Sequence, residues 1–258
     1  MSKQHPASPL PPQQEDTGDK LNTIQMAARF LGDLVLFEGS EFILPHQLIE
    51  PAESIARSSA GGQSALPSHD GQVETILAGF RQEICECKEC PLGHKRQQFV
   101  FGSGKPDADI MFIGEAPGAE EDRQGLPFVG AAGQLLTKII EAMHLGREDV
   151  YICNVLKCRP PNNRDPLPNE VDQCEPYLKR QIEIVQPKII CTLGRIASQA
   201  ILKTTAPMRS LRGVMHQYEG IPVIVTYHPA ALLRNVGFKR DTWEDVKWLR
   251  REYDGVEL

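Results

Sequence analysis

Four short runs of the chain, 109–114, 150–156, 188–193 and 222–227, are nearly continuous in Val, Ile, Leu or Phe. Unbroken apolar runs of this length suit strands covered on both faces, as in a parallel sheet, rather than strands with one wet face. The stretches between them, 133–144, 170–185 and 195–202, carry apolar residues at helical spacing. The predicted order is therefore β-α-β-α-β-α-β with right-handed crossovers: a three-layer α/β/α fold on a four-stranded parallel sheet. A further helix is predicted over 73–84, just ahead of a Cys-rich turn. Upstream, Ile24, Ala27, Ala28, Phe30, Leu31, Leu34 and Leu36 suggest one amphipathic helix. Around it, residues 1–20 and 51–72 have the Pro, Gly, Ser and Gln content of tails and linkers. The expected organisation is an extension over 1–72 and one domain over 73–258.

In open parallel sheets the chemistry gathers at the carboxyl ends of the strands. The residues at those ends are Gly114-Glu-Ala-Pro-Gly118, then Asn154 and Lys157-Cys-Arg-Pro-Pro161, then Gly194-Arg195, then His228-Pro-Ala-Ala-Leu-Leu-Arg234. These are polar or conformationally unusual residues, placed where a site is expected.

Composition narrows the class. A chain of 258 residues with 41% hydrophobic and 24% charged residues is that of an ordinary globular protein with one core. The most apolar early segment, 21–44, is broken by Arg29, Asp33, Glu38 and Glu41, so no membrane span is expected. The first residues lack the basic and apolar regions of a secretory signal, and a cytoplasmic location is expected. The net charge of -6 is uneven: residues 1–79 hold ten acidic and four basic residues, and the remainder is balanced. Any contact with nucleic acid must then come from a local basic face rather than from global charge. Candidates for that face are Lys157, Arg159, Arg164, Arg209, Arg212, Arg234, Lys239 and Arg240.

Seven cysteines, an odd number in a chain with no need of stapling, point to metal binding or burial rather than disulfides. Cys87 and Cys90 form a C-x2-C turn followed by Pro91, and Cys158 and Cys174 lie far downstream. One such pair with two scattered cysteines suits zinc, an iron-sulfur cluster or buried free thiols. Cys153 and Cys191 fall inside strands and read as small apolar core residues. Cys85 lies close enough to Cys87 to compete as a ligand.

Three loop motifs carry a resemblance. Ile113-Gly-Glu-Ala-Pro-Gly-Ala-Glu-Glu-Asp122 leads to Gly125-Leu-Pro-Phe-Val-Gly130, followed by Asn154-Val-Leu-Lys-Cys-Arg-Pro-Pro161 and His228-Pro-Ala-Ala-Leu-Leu-Arg234. Over about residues 80 to 255 the chain resembles the family 4 uracil-DNA glycosylases. The resemblance implies hydrolysis of the N-glycosidic bond of a uracil flipped out of DNA, and a [4Fe-4S] cluster held by Cys87, Cys90, Cys158 and Cys174. The implied partner is uracil-containing DNA, met by a monomer with no membrane involved.

Within that resemblance each motif residue has a physical task. A base must leave the stack before a hydrolytic site reaches it, at a cost of about a few kcal/mol. Leu232 and Leu233 are the expected wedge filling the gap, with Arg234 on the DNA beside them. Phe128 is expected to stack on the extruded uracil, and Asn154 offers both a donor and an acceptor to its Watson-Crick edge. Glu121 is expected to help exclude the methyl group of thymine. His228 is the expected donor to the uracil O2, where negative charge develops. Glu115 is the first candidate to orient the attacking water. The better-known uracil glycosylases carry Asp one position later, where this chain has Ala116; Glu121 and Asp122 are the alternative candidates for the water-orienting role.

Other readings stay open on the residues alone. A non-catalytic metal-containing DNA-binding module is one. A uracil-binding branch that traps its product covalently is another, disfavoured because 158–165 is short and holds no histidine. Neither glycine-rich nucleotide-binding pattern is present.

Overall fold

The computed structural model describes residues 69–255, which fall within one compact unit. The helix expected between Ile24 and Leu36 and the flanking linkers lie outside the described residues. The elements are α1 (His69–Ile84), β1 (Ser103–Gly104), β2 (Ile110–Gly114), α2 (Ala119–Gln124), α3 (Ala131–Ala142), β3 (Tyr151–Asn154), α4 (Pro168–Val185), β4 (Ile189–Leu193), α5 (Arg195–Leu202), α6 (Met208–Leu211), β5 (His216–Tyr218), β6 (Ile221–Thr226), α7 (Pro229–Arg234) and α8 (Phe238–Tyr253). Short 3-10 turns cover Pro91–His94 and Pro161–Asn163.

The strand order is β1-β3-β2-β4-β6-β5. The inner four strands pair in parallel, as their unbroken apolar runs predict. Six strands rather than four make the sheet, because β1 and β5 add antiparallel edges. Both edges are short and poor in apolar residues, so hydrophobic patterning carries no trace of them. The chain is a three-layer α/β/α protein. Alternate residues of the inner strands feed two cores, as the period of two in a strand requires. Met111, Ile113, Ile190 and Val223 pack with Leu178, Ile182 and Val185 of α4, and Ile110, Phe112, Ile152 and Ile224 pack with Leu136 and Ile140 of α3 and Val246 and Leu249 of α8.

Helix α8 was not expected from periodicity, since only Thr242, Asp245, Val246 and Leu249 of its sixteen residues are buried. It makes Lys239 and Arg240 helical rather than loop residues. Helix α1 begins at His69, ahead of the Val73 start that periodicity suggests. Among the described residues no helix is long and apolar enough to cross a membrane.

Candidate active site

A cleft of about 330 Å³ opens at the carboxyl ends of β2, β3 and β6, and its lining includes Glu115, Phe128, Asn154, Asp165, His228 and Arg234. Three widely separated motifs meet there because parallel strands deliver their carboxyl ends to one edge.

Asn154 closes β3 and is 1% exposed, yet its Oδ1 has no hydrogen-bond partner among the described residues. Leaving such a buried group unpaired costs about 1–3 kcal/mol, so a ligand that donates to it recovers that cost. The ring of Phe128 lies against the same spot. A Cβ added at Gly114 would fall 2.4 Å from Asn154 Oδ1 and 2.5 Å from Phe128 Cζ. Glycine at 114 is therefore what lets amide and ring share the cleft floor.

Phe128 adopts a left-handed backbone (φ 53°), uncommon for a bulky residue, so its surroundings must hold it. Glu121 supplies one restraint: its Oε1 accepts the amides of Val129 and Gly130, both at 2.9 Å, and its Oε2 accepts that of Gly118 at 3.1 Å. Arg147 supplies another by donating to the carbonyl of Pro127. In α3, a Cβ at Gly133 would sit 1.9 Å from the Phe128 carbonyl oxygen, so only glycine admits this turn. Glu121 lines the cleft, but both its oxygens are occupied by the loop. Asp122 is buried and accepts the Gln97 amide at 3.0 Å, which makes it a loop anchor rather than a group facing the cleft.

His228 caps α7, its Nδ1 accepting the Ala230 amide at 3.1 Å. That bond places the proton of the neutral ring on Nε2, leaving a donor. Burial, reinforced by the positive charge of Arg234 and opposed by Glu121, lowers its pKa to about 4, so the imidazole is neutral at neutral pH. Its ring centroid is 5.5 Å from that of Phe128. Glu115 follows β2 directly, and burial, then the charge of Asp165, raise its pKa to about 7 against the pull of Arg195. Asp165 and Arg195 are themselves paired at 2.6 Å.

The cysteines gather elsewhere. Cys158 and Cys174 are buried, Cys87 and Cys90 half-buried, and each buried thiol feels the charge state of others in the group. Burial pushes the Cys174 thiol up to about 12 and the Cys158 thiol also upward. Donors are aimed at three of the sulfurs: Arg96 at Cys158 (3.4 Å), the Lys157 amide at Cys174 (3.4 Å) and the Tyr177 hydroxyl at Cys87 (3.2 Å). Cys85 donates its own thiol to the Gln82 carbonyl, and Cys153 and Cys191 are buried strand residues. Among the described residues no three His, Cys, Asp or Glu side chains form a group able to hold a single ion.

The family model of the uracil DNA glycosylase superfamily matches residues 101–248. The chain is 47% identical to the type-4 uracil-DNA glycosylase of Sulfurisphaera tokodaii, over 67% of this chain and 83% of that protein. It is 46% identical to the type-4 enzyme of Archaeoglobus fulgidus (64% and 87% covered) and 42% identical to that of Thermotoga maritima (67% and 93%). The chain belongs to the type-4 uracil-DNA glycosylases.

Two sequence-level expectations for this type-4 uracil-DNA glycosylase need correction. Leu232, expected beside Leu233 in an exposed wedge, is 3% exposed and packs in the core with Phe128 and Leu136, whereas Leu233 is 44% exposed. Adjacent residues of a helix point in different directions, so one faces inward and its neighbour outward. Among the basic candidates, Lys157 is wholly buried, and Arg212 is bound to Asp245 and Asp241 and lies over Tyr227. Neither presents its charge to a partner. Arg164 lines the cleft but is held bidentately by Glu170, while Arg234 lines it in the last turn of α7. Sequence reasoning missed Gly133, Arg96, Tyr177 and Asp165, whose importance lies only in what folding brings beside them. Gly133 left a signal, a glycine inside a helical pattern.

Proposed function

We propose that this protein hydrolyses the N-glycosidic bond of uracil flipped out of DNA, leaving an abasic site, and that it acts as a monomer. The observation that carries the reading is the unpartnered, buried Oδ1 of Asn154 beside the Phe128 ring. Uracil presents N3–H to the amide oxygen and O4 to the amide nitrogen of one asparagine, while its ring offers a face to Phe128. Cytosine presents an acceptor at N3 and an amine at C4, the reverse of that pattern.

As the bond between C1′ and N1 breaks, its electron pair passes to uracil and charge collects on O2. The Nε2–H of neutral His228 donates to that oxygen, a gain absent from the ground state. Water adds to C1′, and Glu115, ionised around and above neutral pH, orients it and takes its proton. Glu121 acts as a positioning residue by fixing the turn that bears Phe128. Leu233 is the residue to fill the vacated stack, with Arg234 beside the phosphates.

The cysteine group fits a [4Fe-4S] cluster held by Cys87, Cys90, Cys158 and Cys174. Three donors to sulfur match thiolate ligands, whose hydrogen bonding tunes such clusters. Thiolates around a single zinc ion would sit within about 4 Å of one another, which suits this group less well. The cluster would supply a fixed joint between the 87–90 turn, the 158 loop and α4.

The test is single-turnover excision from a duplex holding one uracil, read by alkaline cleavage. The wild type cuts, and Asn154→Ala and His228→Ala each fall about 100- to 1000-fold. No cutting by iron-replete wild type would favour a non-catalytic DNA-binding module instead.

A further inference from the structure

Lys157 has no part in the reaction above, although its side chain is entirely buried behind the cleft. Its ammonium donates to the main-chain oxygen of Asn154 at 2.7 Å and to Oε1 of Gln181. Gln181 in turn donates to the Phe101 carbonyl (3.0 Å) and the Tyr151 hydroxyl (3.1 Å), so it is locked in place. The Lys157 amide donates to Cys174 Sγ, and its carbonyl accepts the Val100 amide at 3.0 Å.

Both acceptors of the ammonium are neutral. Two neutral hydrogen bonds do not replace the hydration of a buried cation, which needs an opposite charge close by. Among the described residues no carboxylate pairs with the ammonium, while the amide of the same residue donates to Cys174 Sγ at 3.4 Å, and Cys174 belongs to the four-cysteine group. Four thiolate ligands leave a [4Fe-4S] cluster net negative, the charge this ammonium lacks. Lys157 also follows Asn154 by three residues and precedes Cys158 by one, so it lies on the short segment that joins the two sites.

Resting on the cluster reading above, we propose that Lys157 is the counter-charge of the cluster and a positioning residue for Asn154, tying the cysteine site to the strand end that reads uracil. The amide of Lys157 donates to Cys174 Sγ while its ammonium pins the carbonyl at the end of β3. The amide of Asn154 is thereby held at the cleft floor without spending its own side-chain groups on the protein.

Full-length protein purified without oxygen is compared with Lys157→Met and Lys157→Gln for iron content, cluster midpoint potential, and affinity for duplex DNA carrying a non-cleavable uracil nucleotide. Losing the positive charge makes an added electron less favourable, so both variants shift to a lower midpoint. Binding to the uracil duplex weakens about tenfold or more in Lys157→Met and less in Lys157→Gln, whose amide still donates to Asn154. Binding to the same duplex without uracil is unchanged. Iron-containing variants with the wild-type midpoint overturn the counter-charge role, which a purely structural hydrogen bond would also leave unmoved. Undiminished preference for uracil in Lys157→Met overturns the positioning role. Should that variant not fold, the midpoint and the uracil preference of Lys157→Gln decide. Wild type that contains no iron overturns this proposal together with the cluster reading, whereas iron with unmoved midpoints overturns this proposal alone.

Discussion

Gly114 and Asn154 are partners across the parallel ladder of β2 and β3, and a Cβ on the glycine would fall 2.4 Å from the asparagine Oδ1. Real Cβ contacts are not that short, so Gly114→Ala must displace the Asn154 amide, the Phe128 ring, or both. The expected result is a folded protein whose single-turnover excision falls about a hundredfold or more. Circular dichroism with the excision assay checks both halves, and a rate near wild type would show that the pocket tolerates the shift.

Glu115 predicts a pH dependence of stability. Its pKa is raised from 4.5 to about 7, so the folded state holds the proton more tightly than the unfolded state does. The stability this confers is full below about pH 4.5 and is lost as pH rises through about 7. Glu115→Gln is therefore expected to melt higher than wild type at pH 8, by at most about 3 kcal/mol before solvent screening reduces it, with no such gain at pH 4. In the pH–rate profile, the acid limb near pH 7 should vanish in the variant along with most of the activity.

His228 behaves with the opposite sign. A pKa lowered from 6.5 to about 4 means that the unfolded chain binds the extra proton first. Its contribution is present above about pH 6.5 and is lost as pH falls through about 4. Protonating Nδ1 would also remove the acceptor for the Ala230 amide. Nitrogen-detected NMR of the imidazole at pH 6 should show a neutral ring with its proton on Nε2; a cationic ring at that pH would contradict the assigned donor.

Leu232 and Leu233 should separate stability from DNA handling. Leu232→Ala removes a core side chain and is expected to cost about 2–5 kcal/mol by denaturant unfolding. Leu233→Ala should leave stability within about 0.5 kcal/mol. It should slow excision from duplex DNA while sparing single-stranded substrate, which has no stack to refill. Equal slowing on both substrates would remove Leu233 from the wedge role.

The parallel core of the sheet and the edge on which the cleft lies were legible in the pattern of residues along the chain. Both follow from local facts: unbroken apolar runs must be covered on two faces, and strands joined by helices all end on the same side. Glu115, Asn154 and His228 were legible because each stands at or just past such an end, and Phe128 because it lies in the loop motif that follows β2 and α2. Features that depend on distance between remote residues emerged only on folding. Folding turned Leu232 inward and Leu233 outward, made Lys157 a buried donor and Arg212 a half-buried partner of Asp245, and made Gly133 the support of a turn formed by Phe128. Whether a leucine is core or wedge, or a lysine is a phosphate contact or a counter-charge, depends on which neighbours exclude water from it. Those neighbours come from other parts of the chain, so no pattern local to the residue records them.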